Sequence, residues 1–447
     1  MSSNEFNYSP ERLRELARDV LQYAQTSSAT ACEVDVSEGF GQSVTVRRNE
    51  VDTIEYNRDK GVGVTVYAGQ RRGYASSSDF SYDALQATVD AALSIARFTA
   101  EDPCAGLPEE RLLLAGKSPD LDLYHPWDVS VEESINIARR CEHAAFDVSP
   151  LVRNSEGATV SVQQSHFVSA NSLGFMGGYP STRHYIACAV IAGKGDDMQR
   201  DDWYSTHRDA AALAAPEAIG DYAARRALSR LKARKIRTRQ VPVLFDAPLA
   251  PTLIGNFVYA VSGGSLYRKS SFLLDSLGKQ IFPDFVQIDE RPHIKGALGS
   301  SPFDDDGVVT RDRSVVKDGV LQGYFLSTYT ARKLGMQTTG NAGGSHNLLV
   351  RPGHHDFKGL LKKMGTGLLV TELLGQGVNY VTGDYSRGAV GYWVENGEIA
   401  YPVHEITIAG NVKDMLRGIV AIGSDVLVRG SKQVGSILID RMTVAGN

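Results

Sequence analysis

Several stretches of this 447-residue chain carry side chains able to hold a metal, a phosphate or a proton. His404-Glu405 begins like a zinc-binding helix, but positions 407–409 are Thr, Ile and Ala, so no second His follows one turn later. The surrounding residues alternate like a strand, and the motif fails on ligand and on context. His354-His355-Asp356, with His346 upstream, is a second candidate. Neighbours on an extended chain point to opposite faces, so the adjacent histidines do not naturally share one ion. A polar loop is the plainer reading, and a peptide hydrolase with a non-standard metal site at 346–356 is the alternative. Asp304-Asp305-Asp306 lacks the alternate spacing by which calcium loops bring carboxylates together, and it reads as a turn before a strand at 308–310. The loop 338–347, TTGNAGGSHN, is glycine-rich but has no GK[ST], and no GxSxG elbow occurs. Residues alone define no catalytic centre.

The stretch that organises the rest is 246–272, DAPLAPTLIGNFVYAVSGGSLYRKSSF. Asp246 is a helix-start residue, and Pro248 and Pro251 fall where a missing N–H costs little. Leu249, Leu253, Phe257 and Val261 repeat at i, i+4 and predict one apolar helix over 246–261. Gly263-Gly264 is the expected stop, with Tyr267, Arg268 and Lys269 as a polar exit.

Composition sets the frame for these elements. The chain is 42% hydrophobic and 22% charged, with 47 Lys and Arg against 52 Asp and Glu, a net charge of −5. That is a globular balance whose slight acidity gives no reason to expect nucleic acid or an anionic membrane as partner. No apolar run approaches the length of a membrane span, and the N-terminal residues lack the apolar segment of a secretory signal, so a cytoplasmic location is expected. Cys32, Cys104, Cys141 and Cys188 form no CxxC pair and read as reduced.

Periodicity predicts helices over 9–26, 82–97, 131–146 and 216–235, and short antiparallel strands at 32–36, 43–48, 51–56 and 62–67. Further strands fall at 159–163, 167–171 and 185–191. Residues 100–128, with four prolines, read as a linker or an extended crossing segment. Lys317-Asp318-Gly319 and Glu395-Asn396-Gly397 mark two hairpins. The expected class is α+β in two domains. The division places a helix and antiparallel-sheet domain at 1–125, a middle segment at 126–235 leading onward, and a β-rich C-terminal domain with a central helix at 236–447. Between Arg225 and Arg239 lie eight basic residues and no acidic one. A solvated helix face is the plain reading, and a regulatory binding protein acting through 225–239 is the alternative.

Taken together, several segments resemble the TldD/PmbA family. They are VRRNEVDTIEYNRDKGVGVTVYAGQRRGYASSSDF, DYAARRALSRLKARKIRTRQVPVLFD, SLYRKSSF, SSPFDDDGVVTRDRSVVKDGVLQGYFLSTYTARKLG, TTGN, GYWVENGEIAYPVHEITIAGN and the closing MTVAGN. Catalytic members of that family carry zinc on an HExxxH helix, completed by a late cysteine. Counted back from Arg268-Lys269, the three motif positions fall at Gly255, Asn256 and Ala260, and no Cys follows Cys188. The resemblance implies the PmbA (TldE) branch and a cytoplasmic metalloprotease complex acting on flexible or unfolded peptides, in leader-peptide maturation or antitoxin degradation. It implies no cofactor in this chain, zinc on a TldD-type partner subunit, and activity at the level of the complex. It makes Tyr267, Arg268 and Lys269 candidates for a peptide or partner surface. A homodimer is the alternative assembly for the chain alone.

Overall fold

Ser9 accepts a hydrogen bond from the Arg12 N–H and starts helix α1, Pro10–Thr26. Its buried stripe of Leu13, Leu16, Ala17 and Val20 follows the helical period. Strands β1 (Ala31–Arg47), β2 (Glu50–Ala68) and β3 (Arg71–Ser77) come next, then α2 (Tyr82–Phe98). A reciprocal Ser130–Glu133 capping box opens α3 (Val131–Asp147). After it run β4 (Val152–Asn171), β5 (Met176–Gly177), β6 (Pro180–Ala192), β7 (Gln199–His207) and α4 (Pro216–Ser229). This computed structural model describes residues 5–446. The first residues of the N-terminus read above for a signal, and the last of MTVAGN, lie outside the described residues.

The strands form one sheet in the order β3-β2-β1-β4-β6-β7, with β5 on β4. The four short strands expected at 32–67 are two long ones, joined by a tight turn at Arg48-Asn49 with φ of 52° and 66°. The polar middle of each strand stays in the ladder because pairing is made by backbone groups, whatever the side chains. For the same reason, the strands expected at 159–163 and 167–171 are both parts of β4. Since β1 pairs with β2 on one edge and β4 on the other, the sheet crosses the expected line between residues 125 and 126.

Two cores lie on this sheet. Val34, Val36, Val62, Val64 and Val66 pack under α1 and α2. Val160, Ile186 and Val190 pack under α3 and α4, whose helix contact uses small residues: Ala138, Cys141 and Ala145 against Ala223, Ala224 and Ala227. The helix expected to run to 235 stops at Ser229.

In the second half, β8 (Arg239–Phe245) lies inside a six-stranded sheet, between the strands Gly367–Leu374 and Ile437–Ala445. A long hairpin, Asp384–Glu395 with Glu398–Asn411, turns at Asn396-Gly397 with φ of 51° and 78°, as an Asn-Gly turn requires. A second sheet of five short strands surrounds Ile288–Glu290. The architecture is α+β, a helix and antiparallel-sheet half followed by a β-rich half with a central helix.

Residues 102–113 cross between the halves. Arg332 donates to the carbonyls of Cys104, Gly106 and Leu107, Asp102 accepts from Tyr329 and Lys333, and Leu113 bridges to Val308. Elsewhere Phe303 sits edge-on to Phe167, Phe175 and Tyr179. Among the described residues, no helix is long and apolar enough to cross a membrane.

Candidate functional site

The helix predicted over 246–261 starts about one turn late and ends within a residue of its predicted end. The Asp246 carbonyl accepts from Leu249 and Ala250, making a turn before α5 (Ala250–Ala260). Gly263-Gly264 opens a second short helix, α6 (Gly263–Tyr267), where a stop was expected. The reason is tertiary. Gly263 donates to the Phe325 carbonyl, and a Cβ there would lie 2.2 Å from the Thr330 hydroxyl, so glycine serves close approach. Leu253, Ile254, Phe257 and Ala260 face the core, with Phe257 edge-on to Phe282 at 5.2 Å.

The three positions that the resemblance assigns to the motif, Gly255, Asn256 and Ala260, lie on this helix. Ala260 is fully buried. The Asn256 carboxamide oxygen accepts from the Tyr380 hydroxyl at 2.9 Å, and the Tyr380 ring packs on Tyr259 at 4.0 Å. A Cβ at Gly255 would meet only the Lys432 side chain, at 4.0 Å. Burial holds the Lys432 ammonium below its usual range. Zinc sites take thiolate, imidazole or carboxylate ligands. A methyl group, a carboxamide engaged by a phenol and a glycine beside a lysine do not fit that ion. Among the described residues, no group of three or more His, Cys, Asp or Glu is arranged to hold a metal.

The other sequence candidates are dispersed. His346 is a core residue, with its N–H donating to Glu290 and its Nε2 paired with the Gly340 carbonyl. His355 bridges to Gly423, while Asp356 caps helix α8 (Phe357–Met364) through Gly359. α7, Thr328–Lys333, lies between α6 and α8 in the chain. His404-Glu405 sits in a strand, where Glu405 pairs with Lys235. Asp304 is buried and organises the turn read at 304–306, accepting from Asp306, Val308 and Ala342. Burial raises its carboxyl to about 7 despite those three donors.

The basic run is not one solvated face. Arg226 and Arg230 are mostly buried and pair with Asp201, and Arg230 also reaches Glu372 across the two halves. Arg225 pairs with Asp221, and Arg234 and Arg239 lie over Tyr401 and Trp393.

A cleft of ≈ 670 Å³ lies between β1–β3, the crossing segment 99–108 and the start of α7. Glu33, Tyr67 and Arg72 form one wall, Asp306, Thr328 and Tyr329 the other. Tyr267 meets Tyr329 edge-on at 6.0 Å, so the expected 267–269 surface adjoins this cleft, with Arg268 and Lys269 exposed. Burial raises the Glu33 carboxyl to about 7, and Asp306 adds to the shift, against a hydrogen bond from Tyr67 and the nearby Arg72. Residue-level reading missed Glu33 and Thr328, because strand alternation marks Glu33 only as the face opposite Val34. The segments that carry the resemblance do contain Asp306 and 327–333.

Three sheets, one in the helix and antiparallel-sheet half and two in the β-rich half that holds α5, make up this scaffold. Family descriptions match in chain order: the PmbA/TldA metallopeptidase domain 1 at 32–96, the central domain at 124–231 and the C-terminal domain at 238–446. The chain is 50% identical over 434 residues to metalloprotease PmbA of Escherichia coli O157:H7, covering 97% of this chain and 96% of that one. With Haemophilus influenzae the identity is 46% to its PmbA homologue, over 98% and 97% of the two chains, but 24% to its TldD homologue, over 81% and 79%. The fold matches a Bacteroides thetaiotaomicron crystal structure with a TM-score of 0.93 at 26% identity, covering 98% of this chain and 100% of that one. The chain belongs to the PmbA/TldD metallopeptidase family, in its PmbA (TldE) branch.

Proposed function

We propose that this chain is the zinc-free subunit of a cytoplasmic metalloprotease heterodimer, in which a TldD-type partner supplies the metal and the peptide-cleaving centre. The observation that carries this reading is the chemistry of the three motif positions. Gly255 and Ala260 bring no donor, and the Asn256 oxygen is engaged by Tyr380. A fold retained around such positions can still build one wall of a peptide chamber. Flexible or unfolded peptides are the expected substrates, because an extended chain can add to a sheet edge through its backbone. Tyr267, Arg268 and Lys269 are the proposed peptide or partner surface.

The test is cleavage of an unstructured peptide by the purified chain with zinc, alone and after adding a TldD-type subunit. Cleavage is expected only in the mixture, with zinc following the partner on metal analysis. Robust cleavage by the chain alone would overturn the assignment.

A further inference from the structure

A cavity of ≈ 320 Å³ lies between the turn into α5 and the segment 427–432. Two cations, Arg429 and Lys432, line it, and no Asp or Glu does. Both are half-buried. Among the described residues, Lys432 Nζ has no hydrogen bond or ion pair, and neither have Nε and Nη1 of Arg429. None of these three atoms is shut off from solvent. The guanidinium is fixed by its other contacts: it lies 3.7 Å from the centre of the Trp203 ring and 3.9 Å from that of Tyr204, and Nη2 donates to the Tyr204 carbonyl at 2.7 Å. The Lys432 stem runs beside α5, with Cε 4.0 Å from where a Gly255 Cβ would stand. The nearest acids are otherwise engaged, Asp246 facing Arg226 at 3.9 Å and Asp202 paired with Arg200. Burial holds both cations below their usual ranges. A charge taken out of water costs free energy unless a counter-ion offsets it, and here the cavity is the open side of both. Pro248, Pro251 and Leu427 give the same cavity an apolar wall.

We propose that this cavity binds a carboxylate of a peptide, its free C-terminus or an acidic side chain, between Arg429 and Lys432, with a neighbouring apolar side chain against Pro248 and Leu427. A guanidinium held by stacking keeps N–H groups free in a fixed plane, the geometry that a carboxylate takes two-handed. The ammonium adds a compact charge on a flexible stem, able to turn toward the same oxygens. One bound carboxylate thus supplies the counter-ion that both cations lack. The choice of a peptide as ligand rests on the peptide-handling reading above, but both cations belong to this chain and need no partner.

Calorimetric titration of the purified full chain tests this with four probes: acetyl-Ala-Ala-Leu with a free C-terminus, its neutral C-terminal amide, acetyl-Ala-Asp-Leu-amide and inorganic phosphate. At least one peptide carboxylate is expected to bind roughly tenfold or more tightly than the neutral amide, as a charge-assisted contact predicts. It is also expected to bind more tightly than phosphate, which has no apolar group for the wall. The free-terminus and aspartate arms separate the two sources. Lys432→Met keeps the stem and removes the charge, and Arg429→Gln removes the guanidinium. Each, checked for folding by circular dichroism, is expected to lose the discrimination.

A second readout needs no variant. Lys432 Nζ is unpaired and open to solvent, so an amine-reactive ester should acylate it in the free protein. Saturating peptide acid should protect it and the neutral amide should not, as read by peptide mass spectrometry. No binding by either peptide acid, equal binding of the neutral amide, phosphate binding as tightly as the peptide, discrimination that survives in folded Lys432→Met or Arg429→Gln, or acylation of Lys432 that the peptide acid leaves unchanged would each overturn the proposal. Failure of the partner assay would leave it standing, and failure here would leave the heterodimer reading intact.

Discussion

Two glycines in helix interiors are expected to respond in opposite ways to the same substitution. Local propensity treats Gly220 in α4 and Gly255 in α5 alike: alanine should stabilise each by about 1 kcal/mol. Packing separates them. A Cβ at Gly220 would stand 1.8 Å from the Cys141 carbonyl oxygen and 3.2 Å from the Ala145 N–H nitrogen, both backbone atoms of α3. Neither can rotate away, so the two helices must move apart across a seam of fully buried small residues. Overpacking of that kind costs about 1–3 kcal/mol, and looser packing along the rest of the seam adds to it, so the cost exceeds the propensity gain. A Cβ at Gly255 meets only the flexible end of Lys432, at 4.0 Å. Gly220→Ala should therefore destabilise by about 1–2 kcal/mol and Gly255→Ala stabilise by about 1, with roughly 2–4 °C of Tm per kcal/mol for units of this size. Differential scanning calorimetry of both variants beside the parent reads the two shifts. A rise in Tm for Gly220→Ala, or a fall for Gly255→Ala, would refute the packing argument.

Three further outcomes follow from particular contacts. The Glu33 carboxyl is raised from 4.5 to about 7, so the unfolded chain gives up that proton first as pH rises. The stability held by protonated Glu33 is full below about pH 4.5, falls across the window to 7 and is gone above it, a cost of about 1–3 kcal/mol. The Tm difference between Glu33→Gln and the parent should thus move in favour of the variant from pH 5 to pH 8, and a flat difference would remove Glu33 as the cause. Tyr380→Phe deletes the donor to the Asn256 oxygen and should cost about 1 kcal/mol by urea denaturation, with Tyr259→Ala weakening the same contact less specifically. Arg332→Ala frees three carbonyls of the crossing segment. Faster hydrogen exchange at 102–107 is expected, with the sheet core unchanged; unchanged exchange there would show that the crossing segment is held by other contacts.

Much of the local structure was legible from spacing. The helices over 9–26 and 131–146 and the Asn396-Gly397 turn each depend on residues within one or two turns, and each element stands where expected. Tertiary structure decided what type and spacing do not encode. The polar middle of β1 stays in the sheet because β2 and β4 offer hydrogen bonds on either edge, and that of β2 because β1 pairs with it along its length. Gly263 opens α6 because Thr330 and Phe325, far along the chain, close on that glycine. Arg226 and Arg230 are interior ion-pair partners although their run looks like a solvated face. The cleft is the clearest case. Glu33 and Asp306 line one space only when the two halves close, and burial, which no single residue carries, raises the Glu33 carboxyl.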